Sequence, residues 1–191
     1  MLTVLVIDES RSRAGEICAG LALAGYQVAA ILAGSENLTA EVEKLQPDVI
    51  LIDTDTPSRD TLENLAAMHK NMPRPVVIFT QEGGQATIRD AVRAGVSAYV
   101  VDGLDPRRIK PIVEVARARF EDTQALRREL DEISRKLSER KLVAKAKGVL
   151  MKARGLDEDA AYHAMRKLAM ERGQTMAKAA RDVIDMARVL L

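Results

Sequence analysis

The sequence predicts an α/β domain joined to a small all-α domain: a doubly wound parallel sheet with (βα)5 topology, a long helical linker of the coiled-coil type, and a three-helix C-terminal domain. Two observations lead to this prediction. Over residues 1–120, short apolar runs alternate with amphipathic helical segments, as in a parallel sheet covered on both faces. Beyond residue 120, only helical periodicity remains.

Five apolar runs are the candidate strands, at 3–7, 27–32, 49–52, 76–79 and 98–101. Helical segments follow them at 11–24, 36–45, 58–71, 84–94 and 105–120. Pro106 suits the first turn of the fifth helix, which can run unbroken for some 40 residues. Ligands of such sheets collect at the carboxyl ends of the strands. The polar residues at those ends are Asp8, Glu9, Asp53, Thr80 and Asp102.

The linker, residues 121–137, has apolar residues at spacings of three and four. This pattern is typical of a coiled coil and predicts the seam of a homodimer. Two heptads are short, however, and a helix packed against its own chain would have the same pattern. The predicted seam consists of Leu126, Leu130, Ile133 and Leu137, preceded by Thr123.

Charge is distributed unevenly along the chain. Residues 1–122 contain 13 Lys/Arg and 18 Asp/Glu, whereas residues 135–191 contain 14 and 7. A basic tail behind an acidic domain favours a nucleic-acid partner for the tail. A single cysteine excludes an internal disulfide, and there is no signal-like N-terminus or apolar run approaching 18 residues. We therefore expect a cytoplasmic protein without a membrane segment.

The predicted C-terminal domain, residues 138–191, is divided by two glycines. Gly155 and Gly173 end helices, and Asp157 and Thr175 are candidate N-caps of the next two. On the first tail helix the cations form two stripes on either side of an apolar strip, although an ordinary solvated surface would look the same. The stripes are Lys141, Lys145 and Lys152 on one side and Arg140, Lys147 and Arg154 on the other.

Three carboxylates should meet at one edge of the sheet: those of Asp8, Glu9 and Asp53. They repel one another unless a cation neutralises them, and oxygen ligands at this density suit Mg²⁺. The sequence therefore predicts a possible Mg²⁺ site in this acid pocket. No Ser/His/Asp set, Cys/His pair, zinc-ligand spacing or glycine-rich phosphate loop is present, so an enzyme is not expected.

The segments VLVIDES, VILIDTDTPSRD, VVIFT and AGVSAYVV resemble the receiver domain of two-component response regulators. The resemblance implies that Asp53 is the phosphoacceptor-like residue, that Asp8 and Glu9 hold Mg²⁺, and that Thr80 and Tyr99 act as switch residues. The chain departs from the family in YVVDGLDP, where Asp102 stands in place of a lysine. A carboxylate there reverses the local charge and disfavours a phosphoryl dianion. We therefore expect metal binding more readily than phosphorylation.

The tail from Leu137 to Ile184 resembles the ANTAR domain, a three-helix module that binds paired hairpins in leader RNA and prevents transcription termination. Lysine and arginine contacts to phosphate would then supply most of the affinity. Tyr162 is either a stacking platform for a loop base or a core residue of the second tail helix. The RNA-binding candidates are Arg140, Lys141, Lys145, Lys147, Lys152, Arg154, Tyr162 and Arg166.

Taken together, the two resemblances identify the chain as a member of the AmiR/NasT family, and TPSRD and SAYVVDG favour the NasT branch. That resemblance implies control of nitrate and nitrite assimilation genes through a cytosolic nitrate-binding sensor protein, with RNA polymerase affected only indirectly. Two alternatives remain: a phosphorylation-controlled DNA-binding regulator, and an adaptor whose basic tail docks on an acidic protein.

Overall fold

The computed structural model describes residues 1–9, 13–102 and 105–190 of the 191-residue chain. These residues fall into two units, Met1–Gln124 and Ala125–Leu191, and the division lies within the predicted linker. The first two residues of the predicted helix 11–24, and Gly103 of the YVVDGLDP motif, lie outside the described residues.

The first unit is built on five parallel strands in the order β2-β1-β3-β4-β5. Four α-helices connect consecutive strands. A 3-10 turn follows the last strand, and a fifth helix begins after that turn. β1 and β3 each extend one residue beyond the predicted end, to an aspartate, and β5 ends one residue earlier. The strands are Thr3–Asp8, Gln27–Leu32, Val49–Asp53, Val76–Phe79 and Ala98–Val100; the helices α1 to α5 are Ala14–Leu23, Leu38–Leu45, Arg59–Asn71, Gln85–Arg93 and Ile109–Arg154.

The central strands are apolar throughout because both faces of the sheet are covered. Alternate residues of β1 point to opposite faces, so Leu5 and Ile7 join one core with residues of α2, α3 and α4. Val4 and Val6 join a second core with residues of α1 and α5. This two-sided burial is why the strands lack a polar alternation and why the polar residues appear only where the strands end.

The fifth helix begins later than predicted. Pro106–Arg108 form a 3-10 turn in which Asp105 Oδ1 accepts a hydrogen bond from Arg107 N at 2.9 Å. α5 then starts at Ile109, which places Pro111 in its first turn, where the missing N–H breaks no helical hydrogen bond. Gly20 of α1 allows a close approach here, since a Cβ would lie 2.7 Å from Ile109 Cδ1.

The second unit contains the later part of α5 with α6, Glu158–Glu171, and α7, Met176–Leu190. Gly155 and Gly173 separate the helices with φ of 66° and 57°, values that a residue without Cβ adopts at no steric cost. Asp157 Oδ1 caps α6 by accepting from Ala160 N at 2.7 Å. The predicted three-helix arrangement is confirmed, and its small core contains Ala146, Met165, Ala180 and Ile184.

α5 is 46 residues long, but charged side chains interrupt it throughout. Within the described ranges, no helix is both long enough and apolar enough to cross a membrane.

Candidate functional site

The carboxyl ends of β1 and β3 place two acids side by side. Asp8 and Asp53 are register partners in the parallel pair of strands. Glu9 N donates to the Asp53 carbonyl oxygen at 3.1 Å, which ties the next residue to the same edge. Asp8 is 2% exposed and Asp53 is fully buried. The structure therefore brings the two predicted aspartates together in a pocket with little access to water.

A guanidinium group closes this acid pocket. Arg13, the residue before α1, places Nε 2.9 Å from Asp53 Oδ2 and one terminal nitrogen 3.6 Å from Asp55 Oδ1. Arg13 is not among the residues predicted from the sequence. The only signal available was a positive charge in the short segment between β1 and α1, and neither periodicity nor strand ends identify the partner of such a residue.

The electrostatic balance at Asp53 is unfavourable to its charge. Burial raises the pKa of the Asp53 carboxyl group above its ordinary value, and the neighbouring Arg13 charge opposes that rise without cancelling it. The carboxylates of Asp8 and Asp55 raise the pKa further. The Asp53 anion therefore depends on Arg13 for most of the stabilisation that the protein gives it.

The third predicted metal ligand is engaged elsewhere. Glu9 Oε1 accepts a hydrogen bond from Thr61 Oγ1 at 2.7 Å, and Thr61 in turn contacts Ser58, the N-cap of α3. No cluster of three His, Cys, Asp or Glu side chains able to hold a metal ion occurs in the part of the chain that the structure describes. In this arrangement the residues do not fit Mg²⁺, and the site at Asp8, Glu9 and Asp53 stays a prediction.

Thr80 and Tyr99, the predicted switch residues, form hydrogen bonds to the backbone of neighbouring loops. Thr80 is fully buried, and its Oγ1 donates to the Asp55 carbonyl oxygen at 2.8 Å. Tyr99 Oη donates to the Glu82 carbonyl oxygen at 2.9 Å, and burial raises its pKa. Asp102 is exposed and has a φ of 70°, in the left-handed region that aspartate tolerates better than most residues.

The second unit exposes most of the predicted RNA-binding residues. Six of the seven cations are exposed, and no ion pair within the described ranges engages them. They stand on α5 and α6, where charge is available to a partner. These six are Arg140, Lys141, Lys145, Lys152, Arg154 and Arg166.

Lys147 differs from the other predicted cations. Its ammonium group pairs with the Glu158 carboxylate at the start of α6, and its side chain is only 21% exposed. Lys147 also lowers the pKa of Glu158 by donating a hydrogen bond to that carboxylate. The structure thus assigns Lys147 a contact between α5 and α6, and its charge is already neutralised within the unit.

Tyr162 lies at the edge of a cleft of about 430 Å³ between α5, α6 and α7. The tyrosine is 42% exposed and makes an edge-to-face contact with His163, at a ring-centroid distance of 6.1 Å. Cationic and apolar side chains share the walls of this cleft. Besides Tyr162, they are Lys136, Glu139, Arg140, Val143, Ala144, Lys147, Met176 and Ala177.

The predicted dimer seam is an exposed apolar stripe on α5. Leu126, Leu130, Ile133 and Leu137 are 61, 65, 56 and 52% exposed. Four large apolar side chains in a row on one helix face are unusual on a monomer surface and are typical of an interaction site.

Comparison with protein families identifies both halves of the chain. The model of the response regulator receiver domain matches residues 4–114, and the model of the ANTAR domain matches residues 131–184. The chain belongs to the ANTAR-type response regulators. The acid pocket lies within the receiver match, and the basic surface and the cleft lie within the ANTAR match.

Individual relatives of this response regulator agree with that assignment. It is 29% identical over 161 residues to the transcriptional regulatory protein PdtaR of Mycobacterium tuberculosis, a match that covers 84% of this chain and 78% of the relative. It is 36% identical over 85 residues to the nitrate regulatory protein of Klebsiella oxytoca. The second match covers 44% of this chain and 22% of that protein, so it concerns only a part of the larger relative.

Solved structures resemble the receiver part of the response regulator. A CheY-like receiver domain protein from Methanospirillum hungatei superposes with a TM-score of 0.56 at 21% identity, covering 64% of this chain and 98% of that structure. At this identity the likeness concerns the fold alone, and it confirms the predicted (βα)5 sheet.

Proposed function

We propose that this response regulator binds hairpins in leader RNA through its ANTAR domain and acts as a transcription antitermination factor in the cytoplasm. One observation carries the proposal: within the ANTAR match, α5 and α6 expose cations without ion-pair partners, and one of them, Arg140, lines a cleft together with the exposed Tyr162. The cations supply a salt-dependent attraction to phosphate, and an aromatic ring supplies a stacking surface for an unpaired base.

The cleft suits one flipped-out base of a hairpin loop. Its volume of about 430 Å³ leaves room for a nucleobase, and the aromatic side chain of Tyr162 lines it together with the apolar side chains of Met176 and Val143. Arg140 lines the same cleft and carries a charge without an internal partner, so it is placed to contact a phosphate beside the stacked base. From this combination we expect the domain to select single-stranded loops over duplex.

The test is a binding titration with a labelled leader RNA that contains two hairpins, measured by fluorescence anisotropy at several KCl concentrations. Lys145→Gln removes an unpaired charge and should reduce the slope of log affinity against log salt by about 0.7 to 0.9. Lys147→Met is the matched control from the same helix, because Lys147 is already paired with Glu158. It should leave the slope almost unchanged.

Tyr162→Ala tests the cleft separately. It should weaken binding to the hairpins without changing the salt slope, since stacking contributes about 1 to 3 kcal/mol per base. Equal affinity of the wild type for the hairpins, unstructured RNA and duplex DNA would contradict the proposal, as would a salt slope that responds equally to Lys145→Gln and Lys147→Met.

The receiver domain is proposed to dock a partner protein that senses nitrate or nitrite, so that RNA polymerase is affected only through the RNA. The likeness to the nitrate regulatory protein of Klebsiella oxytoca supports this input. A tagged regulator isolated from its host should retain an anion-binding protein in medium without nitrate and release it when nitrate is added. A partner whose retention ignores nitrate would refute this part and leave RNA binding intact.

A further inference from the structure

Arg13 lies against the Asp53 carboxylate at the carboxyl edge of the sheet. Its Nε lies 2.9 Å from Asp53 Oδ2, and both carboxylate oxygens of Asp53 are shielded from solvent. The guanidinium therefore covers Asp53 Oδ2, and a ligand of that oxygen on this side would have to displace it. We propose that Arg13 is a built-in counter-ion that keeps the acid pocket closed to divalent cations and to phosphorylation.

The charge requirement of the pocket supports this assignment. Asp8 and Asp53 meet at the edge of the sheet, and position 102, where the family has a lysine, holds an exposed aspartate. Among the described residues, Arg13 supplies a positive charge from another element, with its Nε 2.9 Å from Asp53 Oδ2. Arginine suits the position because its planar, always charged fork can contact two carboxylates together, here those of Asp53 and Asp55.

The second contact of Arg13 gives the guanidinium a place to move. Asp55 Oδ1 lies 3.6 Å from the arginine, and the Asp55 side chain is 77% exposed, so the pair can persist when Arg13 leaves Asp53. The Asp55 carbonyl oxygen accepts the Thr80 hydroxyl at 2.8 Å. Asp55 thus contacts both Arg13 and Thr80. A movement of Arg13 that opens the pocket would therefore reach Thr80 through Asp55.

Glu9, the acid that follows Asp8, is also engaged by a neighbouring side chain. Glu9 is held by the Thr61 hydroxyl at 2.7 Å, so it does not point at Asp53 as a metal ligand would. A divalent ion would have to displace Arg13 and recruit Glu9 from Thr61. The closed pocket therefore opposes metal binding in two places, at the Arg13 guanidinium and at the Thr61 hydroxyl.

The first experiment measures Mn²⁺ binding to the full chain by the loss of the free-ion electron paramagnetic resonance signal. Arg13→Met should bind Mn²⁺ about 10- to 100-fold more tightly than the wild type, the range over which neighbouring groups change metal affinity. Adding Asp53→Asn to Arg13→Met should abolish the gain. Arg59→Met is the control, because Arg59 is an exposed receiver arginine that pairs with Glu63 outside the pocket.

The second experiment uses acetyl phosphate with Mg²⁺ and intact-mass detection. In phosphorylation, an Asp53 oxygen forms a bond to phosphorus while the bond from phosphorus to the acetyl oxygen breaks, and acetate leaves with the electron pair. Arg13→Met should gain one phosphoryl group that the Asp53→Asn double variant lacks, while the wild type and Arg59→Met remain largely unmodified.

Three results would overturn the proposal. Equal Mn²⁺ affinity of the wild type and Arg13→Met would show that the guanidinium excludes nothing. Phosphorylation of the wild type that is lost in Arg13→Met would show that Arg13 assists the reaction. Tight, stoichiometric Mn²⁺ binding by the wild type alone would also refute it, and this measurement needs no variant. Arg13→Gln serves as a second variant if Arg13→Met does not give the circular dichroism of the wild type.

Discussion

The exposed stripe on α5 gives a direct prediction about assembly. Leu130 is its most exposed member, at 65%, so replacing it with glutamine changes little inside one protomer. Surface substitutions of this kind usually change the free energy of unfolding by about 0.5 kcal/mol or less. If two copies pair along the stripe, the same substitution removes apolar contact from both protomers at once.

The magnitude follows from the exposed fractions. Complete burial of a leucine side chain is worth about 1.5 to 3 kcal/mol, and roughly two thirds of Leu130 remains to be buried, or about 1 to 2 kcal/mol. A symmetric pair contains two such side chains, so Leu130→Gln should cost about 2 to 4 kcal/mol of association free energy. At 1.4 kcal/mol per factor of ten, the dimer dissociation constant should rise about 30- to 700-fold.

Sedimentation equilibrium over a range of protein concentrations measures this constant. Leu23→Gln is a matched control, because Leu23 is an even more exposed leucine, at 87%, at the end of α1 and away from the stripe. The reasoning fails if Leu130→Gln has the dissociation constant of the wild type, if Leu23→Gln weakens the dimer to the same degree, or if the wild type is monomeric throughout.

Two further predictions concern stability. Gly95→Ala should destabilise the receiver domain by about 2 to 4 kcal/mol in denaturant unfolding, because φ is 95° there and a Cβ would lie 2.6 Å from the His69 ring; an unchanged midpoint would contradict the close contact. Burial and the hydrogen bond to Glu114 raise the pKa of Tyr26 to about 12, so the unfolded phenol ionises first as the pH rises. The Tyr26 contribution to stability should be complete below about pH 10 and lost by about pH 12, and Tyr26→Phe should flatten the decline of Tm across that window; parallel Tm curves for the two proteins would refute it.

The carboxyl ends of β1, β3, β4 and β5 were predictable to within a residue, because each of these apolar runs stops at a polar residue. Asp8 and Asp53, which follow two of these runs, are found as register partners. Arg13 was not predictable, because its partner lies 40 residues away and ion pairs across loops have no period. The pocket was therefore recognised by its acids, while the residue that closes it required coordinates.

In the C-terminal helices, too, the sequence did not reveal the contacts between different elements. A helical projection placed Lys147 in a cationic stripe, but a projection of one helix contains no information about Glu158 on the next. Tyr162 was left between core and surface, and the structure finds it 42% exposed, because the buried positions beside it are filled by Ala161 and Met165. Helical periodicity in the sequence identifies the buried face of a helix well. It identifies cations without an ion-pair partner only when the neighbouring helices offer no carboxylate.

The ion pair between Arg13 and Asp53 also bears on how such regulators diversify. The arginine stands just before α1, outside the sheet, so a single codon change there alters the pocket without disturbing a strand or the tail. We expect mutation at this position to change what the acid pocket admits, with Asp102 still opposing a phosphoryl dianion. The output that the ANTAR domain delivers would be inherited intact.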